Sequence, residues 1–138
     1  MVADTPPSSA ALSKSDRIDI SVPLRAEFAS TLRALTASIG ADAGFSIDEL
    51  DDLRLALSEV FSVLADAADG DDRALVSLAV THGELSISIG SDHTDKPLEL
   101  DPLAASILQS VTDGYEIGPG SVAFTKRSTE LGAGPHRP

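Results

Sequence analysis

Three carboxylates spaced seven residues apart, Asp52, Glu59 and Asp66, fall inside the segment Ile47–Ala68 and share one side of any helix it forms. Carboxylates so placed could act as general acid and base, and a single glutamate beside a bound nucleotide could accept a hydroxyl proton. The same acids also fit a solvated polar stripe, and nothing else in the chain supports a two-carboxylate hydrolase. His82 and His93 fall at a turn and in a polar loop, each near acids, without the His-x-x-x-His type of spacing that places two ligands on one metal. His136 belongs to a C-terminal stretch rich in turn formers. There is no cysteine, hence no thiolate ligand or thiol nucleophile, and no serine lies in a Gly-x-Ser-x-Gly setting.

The elements that must position these groups can be read from periodicity. Arg17–Val22 alternates Ile18, Ile20 and Val22 with polar residues, as a half-buried strand does. After Pro23 a helix is expected over Leu24–Ala43, with Phe28, Leu32, Leu35 and Ile39 on one face and Gly44 as its stop. Ile47–Ala68 is a second helix, whose apolar face is Ile47, Leu50, Leu53, Leu57, Val60, Phe61, Leu64 and Ala68. Ser46 with Glu49 three residues on forms a capping box at its start. Strands are expected over Ala74–Val80 and Leu85–Ile89, joined by a tight turn at His82-Gly83. A polar loop, Ser91–Glu99, leads to a third helix, Leu103–Val111, with Asp101 as N-cap and Pro102 at its first position. Strands Tyr115–Ile117 and Val122–Lys126 close the chain around Gly118-Pro119-Gly120. Burying three amphipathic helices and one apolar sheet face together predicts an α+β two-layer sandwich, three helices on one face of a mixed, mainly antiparallel sheet.

With 138 residues, one domain is expected over residues 16–127, flanked by a Pro-, Ser- and Ala-rich disordered tail at 1–15 and a flexible tail at 128–138. Aromatic residues make up only 4% of the chain, so the core must be built from Leu, Val, Ile and Ala. The net charge of −12 repels polyanions, which excludes direct nucleic-acid binding and an anionic membrane surface. The apolar runs are too short to span a bilayer. The N-terminal stretch lacks the basic start and apolar core of a secretory signal, so a cytoplasmic bacterial protein is expected.

Three stretches between Ile18 and Arg127 resemble the anti-sigma-factor serine kinases of the RsbW and SpoIIAB type, within the GHKL, or histidine-kinase-like, ATPase superfamily. They are the strand-to-helix junction Ile20-Ser21-Val22-Pro23-Leu24-Arg25, the run Gly44–Glu59, and Ile107–Asp113 with the hairpin ending Val122–Arg127. The resemblance implies a histidine-kinase-like ATPase fold with a reduced lid. It places a general base at Glu59 and, four residues later, a magnesium-ligating Asn where this chain has Val63, which cannot ligate a metal. It makes Asp92 the candidate contact to the adenine amino group, but Thr94 and Lys96 stand where glycines are expected. The stretch that would form the phosphate lid, Lys96–Leu103, has no glycine, two prolines without N–H donors, and the carboxylates Glu99 and Asp101. Arg25 and Arg33 lie on the first helix, near the surface with which such relatives grip a partner.

The resemblance therefore implies a degenerate member: an anti-sigma-factor-like regulatory protein that binds a sigma factor or a STAS-domain anti-anti-sigma factor, as a homodimer, with no cofactor. One alternative is a divergent but active serine-protein kinase that uses ATP and magnesium through Asp92 and Glu59. A second is a non-enzymatic scaffold or dimerisation domain.

Overall fold

The computed structural model describes residues 17–92 and 98–129. The tail expected at 1–15, residues 130–138 of the tail expected at 128–138, and with them His136, lie outside the described residues, as do His93, Thr94 and Lys96. Strand β1 (Arg17–Pro23) is followed by a 3-10 turn (Ala26–Phe28) and helices α1 (Ala29–Asp42) and α2 (Ile47–Asp66). Strands β2 (Arg73–Thr81) and β3 (Glu84–Ser91), helix α3 (Pro102–Val111), and strands β4 (Gly114–Gly118) and β5 (Ser121–Arg127) complete the order expected from the sequence.

The strands form one sheet in the order β1-β2-β3-β5-β4. All four ladders between them are antiparallel, which corrects the expectation of a mixed sheet. The reason lies in the crossover: α3 carries the chain past β5 to the sheet edge, so that β5, returning through a hairpin, fills the place beside β3 in the opposite direction. Two-residue turns set the register of both hairpins. At the first, His82 (φ 48°) and Gly83 (φ 78°) both adopt left-handed backbone, as the mirror-image type I turn requires.

The helices cover one face of the sheet. Ala74, Val76, Leu78, Leu85, Ile87, Ile89, Val122 and Phe124 project from that face and are buried against Leu53, Ala56, Leu57, Val60, Phe61 and Leu64 of α2, with Leu32 of α1 and Leu108 of α3. The opposite face carries short polar and small side chains, among them Ser77, Ala79, Ser86, Ser88, Ala123 and Thr125, and no described helix covers it.

Local sequence explains the helix ends. Helix α1 stops where Gly44 takes φ 93°, which lets the Phe45 N–H donate to the Gly40 carbonyl at 3.0 Å in a Schellman closure. It begins five residues later than the pattern indicated, because Leu24 is buried and its N–H donates to the Asp72 carbonyl at 2.9 Å, holding that part of the chain against the β2 approach. Helix α2 begins on the expected capping box: Ser46 Oγ accepts from the Glu49 N–H at 3.2 Å, and the Glu49 carboxylate accepts from the Ser46 N–H at 2.8 Å. Two residues assigned to helix core faces do not reach the core: Ile47 is 75% exposed and Leu103 is 69% exposed. Each lies in the first turn of its helix.

Candidate functional site

The side chains singled out by the sequence do not form one constellation. Asp52 is tied to Lys126 of β5, Nζ to Oδ2 at 3.0 Å, so it is a structural ion pair between helix and sheet rather than a free acid. Asp66 is exposed at the far end of α2. Glu59 lies between them, half-buried, and makes no hydrogen bond or ion pair to another described residue. Val63, one turn on from Glu59, packs against the core cluster.

Asp92 is committed to the sheet. Its Oδ1 accepts from the Arg73 N–H at 2.9 Å, while its own N–H donates to the Arg73 carbonyl at 3.0 Å. The carboxylate thus extends the β2–β3 ladder by one more pair.

The approach to α3 differs from the polar loop the sequence indicated. Leu98 is 9% exposed and joins the core, and Leu100 packs against it from the edge. Asp101 caps α3, its Oδ1 accepting from the Ala104 N–H at 2.7 Å, and Pro102 occupies the first helical position as expected. The α3 N-terminus is therefore satisfied by its own carboxylate, where a phosphate-binding helix would leave those N–H groups open to an anion. The structure thus sets Val63 against the core, Leu98 within it, and Asp101 over the α3 N-terminus.

The two candidate partner-binding arginines are separated in role. Arg25 is exposed, with its guanidinium 5.2 Å from the Phe28 ring centroid and its Nε 3.7 Å from Glu27. Arg33 is half-buried and donates to Ser58 Oγ of α2 at 3.2 Å, joining the two helices. Of the two, Arg25 is the one exposed to solvent.

One residue carries a role beyond what its motif indicated. Glu49, 7% exposed, also accepts from the Thr129 N–H and the Thr129 hydroxyl, both at 2.7 Å on Oε2. Beside it Ser128 is buried, its N–H donating to the Gly83 carbonyl at 2.7 Å and its hydroxyl to the Gly44 carbonyl at 3.2 Å. Ser128 and Thr129, which the sequence assigned to the tail, are thus hydrogen-bonded into the domain. Burial pushes the Glu49 carboxyl up, but the hydrogen bonds from Thr129 and Ser46 outweigh it and hold the group below its ordinary value. The contact spans 80 positions, and no local signal announces it.

On the open sheet face, Asp19 accepts from the Ser77 hydroxyl at 2.6 Å and from Arg17 Nε at 3.0 Å, and these partners lower its pKa. Two shallow hollows of about 560 and 520 Å3 lie on this face, both bordered by Arg17.

No protein-family model matches the chain, and no curated protein matches it. No helix among the described residues is long and apolar enough to cross a membrane.

Proposed function

We propose that this chain is an anti-sigma-factor-like regulatory protein of the cytoplasm that acts by protein–protein binding, built on a histidine-kinase-like ATPase fold with a reduced lid. Its partner is a sigma factor or a STAS-domain anti-anti-sigma factor, and its working form is a homodimer. The observation that carries the loss of chemistry is the burial of Leu98 with Leu100 packed beside it: the strand-to-helix approach that would arch over phosphates is anchored instead in the core. Displacing the buried Leu98 from the core to admit a triphosphate would cost about 1.5–3 kcal/mol. A cost of that size weakens nucleotide binding by roughly ten- to a hundredfold.

Glu59 favours a second reading. A half-buried carboxylate with no partner among the described residues is free to act as a base, as a divergent kinase would require. Calorimetric titration with a non-hydrolysable ATP analogue and Mg2+ separates the two. The binding-module reading expects no saturable heat, for the wild type and for Val63→Asn alike. Saturable, magnesium-dependent binding, with transfer of γ-phosphate to a STAS-domain acceptor that Glu59→Ala abolishes, would establish the kinase.

A further inference from the structure

The apolar rows of the sheet end partly exposed at one edge. Through the register of four ladders, Ile20, Val76, Ile89, Val122 and Ile117 line up across all five strands on the helix-facing side. Val76, Ile89 and Val122 are buried, yet Ile117 at the end of the row is 41% exposed. Tyr115 ends the next row, beyond Phe124, and is half-buried.

Among the described residues, no further strand pairs with the backbone at this edge. The Ser91 N–H donates to the Gly120 carbonyl, so residues 120, 122 and 124 direct their peptide groups toward β3 and residues 121, 123 and 125 toward β4. Gly114, Glu116 and Gly118, opposite the latter set, spend their groups on β5. Tyr115 and Ile117 therefore turn their N–H and C=O groups outward, a template for another strand.

Charge says what kind of strand fits. Glu116 projects from the open face and makes no hydrogen bond or ion pair to another described residue, and beside it a hollow of about 460 Å3 is bordered by Gly118, Ser121 and Ala123, which leave room for a long side chain. At the opposite edge, on β1, Arg17 and Asp19 already neutralise each other at 3.0 Å. A second copy of this chain fits β4 poorly. Antiparallel pairing of β4 with itself about Glu116 would set two carboxylates face to face, between molecules that each carry −12.

We propose that the β4 edge is a docking site for an extended, cationic segment of a protein partner. The segment adds as a sixth strand, setting β-branched or aromatic side chains beside Ile117 and Tyr115 and a lysine or arginine over Glu116. The inference stands independently of the nucleotide question.

The probe is a capped heptapeptide alternating lysine and valine, titrated into the full chain and followed by amide resonances and hydrogen exchange. The Tyr115 and Ile117 N–H groups are expected to shift and gain protection. A glutamate–valine peptide is expected to bind roughly tenfold more weakly, and Glu116→Lys to shift the preference back toward it. A lysine–valine peptide N-methylated at alternate residues is expected not to bind. Equal binding of the two charge types, binding of the methylated peptide, or protection confined to Arg17–Pro23 would overturn the assignment. So would protection of Tyr115 and Ile117 by raising the protein concentration alone, because a second copy would then be the occupant.

Discussion

Replacing Glu49 by alanine is expected to destabilise the domain more than any other single exposed-to-core polar change. Its carboxylate accepts three hydrogen bonds, from Ser46 N–H at 2.8 Å and from the Thr129 N–H and hydroxyl at 2.7 Å, in a pocket where the side chain is only 7% exposed. Losing the capping box costs about 1 kcal/mol, and each charge-assisted bond to the C-terminal residues contributes about 1 more once desolvation of the abandoned donors is included, about 3 kcal/mol in all. For a domain of this size that corresponds to a melting-point fall of roughly 10 °C.

The sign of the pH dependence follows from the direction of the shift. The folded carboxyl titrates below its unfolded counterpart, so the stabilisation is complete above about pH 4.3 and is lost as the pH falls through the lower folded value. Urea denaturation at pH 7 and at steps down to pH 3 measures both effects. In Glu49→Gln, which keeps the shape but not the charge, the acid-side loss of stability is expected to be shallower than in the wild type. A Glu49→Ala variant within about 0.5 kcal/mol of the wild type at pH 7 would refute the reasoning, since surface changes fall in that range. So would an unchanged acid profile in the glutamine variant.

Two further outcomes test the core and the turn. Leu98→Ala is expected to lower stability by about 2–3 kcal/mol in the same denaturation assay, toward the lower part of the range for buried leucines because Leu98 sits at the rim of the core; a change below 1 kcal/mol would show that the approach to α3 is not anchored there. His82→Asn is expected to stabilise by several tenths of a kcal/mol, because asparagine tolerates the left-handed φ of 48° better than histidine at the first position of this turn. A fall in melting temperature for that variant would count against the turn geometry.

The sequence was most legible where physics is local. Ser46 and Glu49 cap α2 as expected because both partners of the box lie within one turn. Gly44, Asp101-Pro102 and His82-Gly83 mark their turns and helix ends because the backbone conformation each requires is confined to a few residue types. Strand faces also followed, since alternation in β2 and β3 matches the buried set Val76, Leu78, Leu85, Ile87 and Ile89. Misreadings came where a side chain's surroundings are set by distant chain. Leu98 looked like part of a polar loop because its neighbours are polar, yet the space beneath it is apolar. Asp92 likewise gave no sign in the sequence that its Oδ1 accepts from the backbone of a residue 19 positions away. Asp52 belonged to a uniform stripe in the sequence, but among the described residues it alone of the three meets a lysine, 74 positions along the chain.

By itself the sequence determined the elements, their boundaries to within a few residues, the apolar faces, and the absence of Asn at Val63 and of glycine before α3. These depend on residue type and on spacing within a turn or a strand, which are the same in any fold the chain adopts. The tertiary structure alone decided that every ladder is antiparallel, that Leu98 closes the approach to α3, that Glu49 holds Thr129, and that β4 is left as an open edge beside an unpaired Glu116 among the described residues. Each of these is a contact between segments far apart in the chain, and such contacts are set by which surfaces must be buried together rather than by any short pattern.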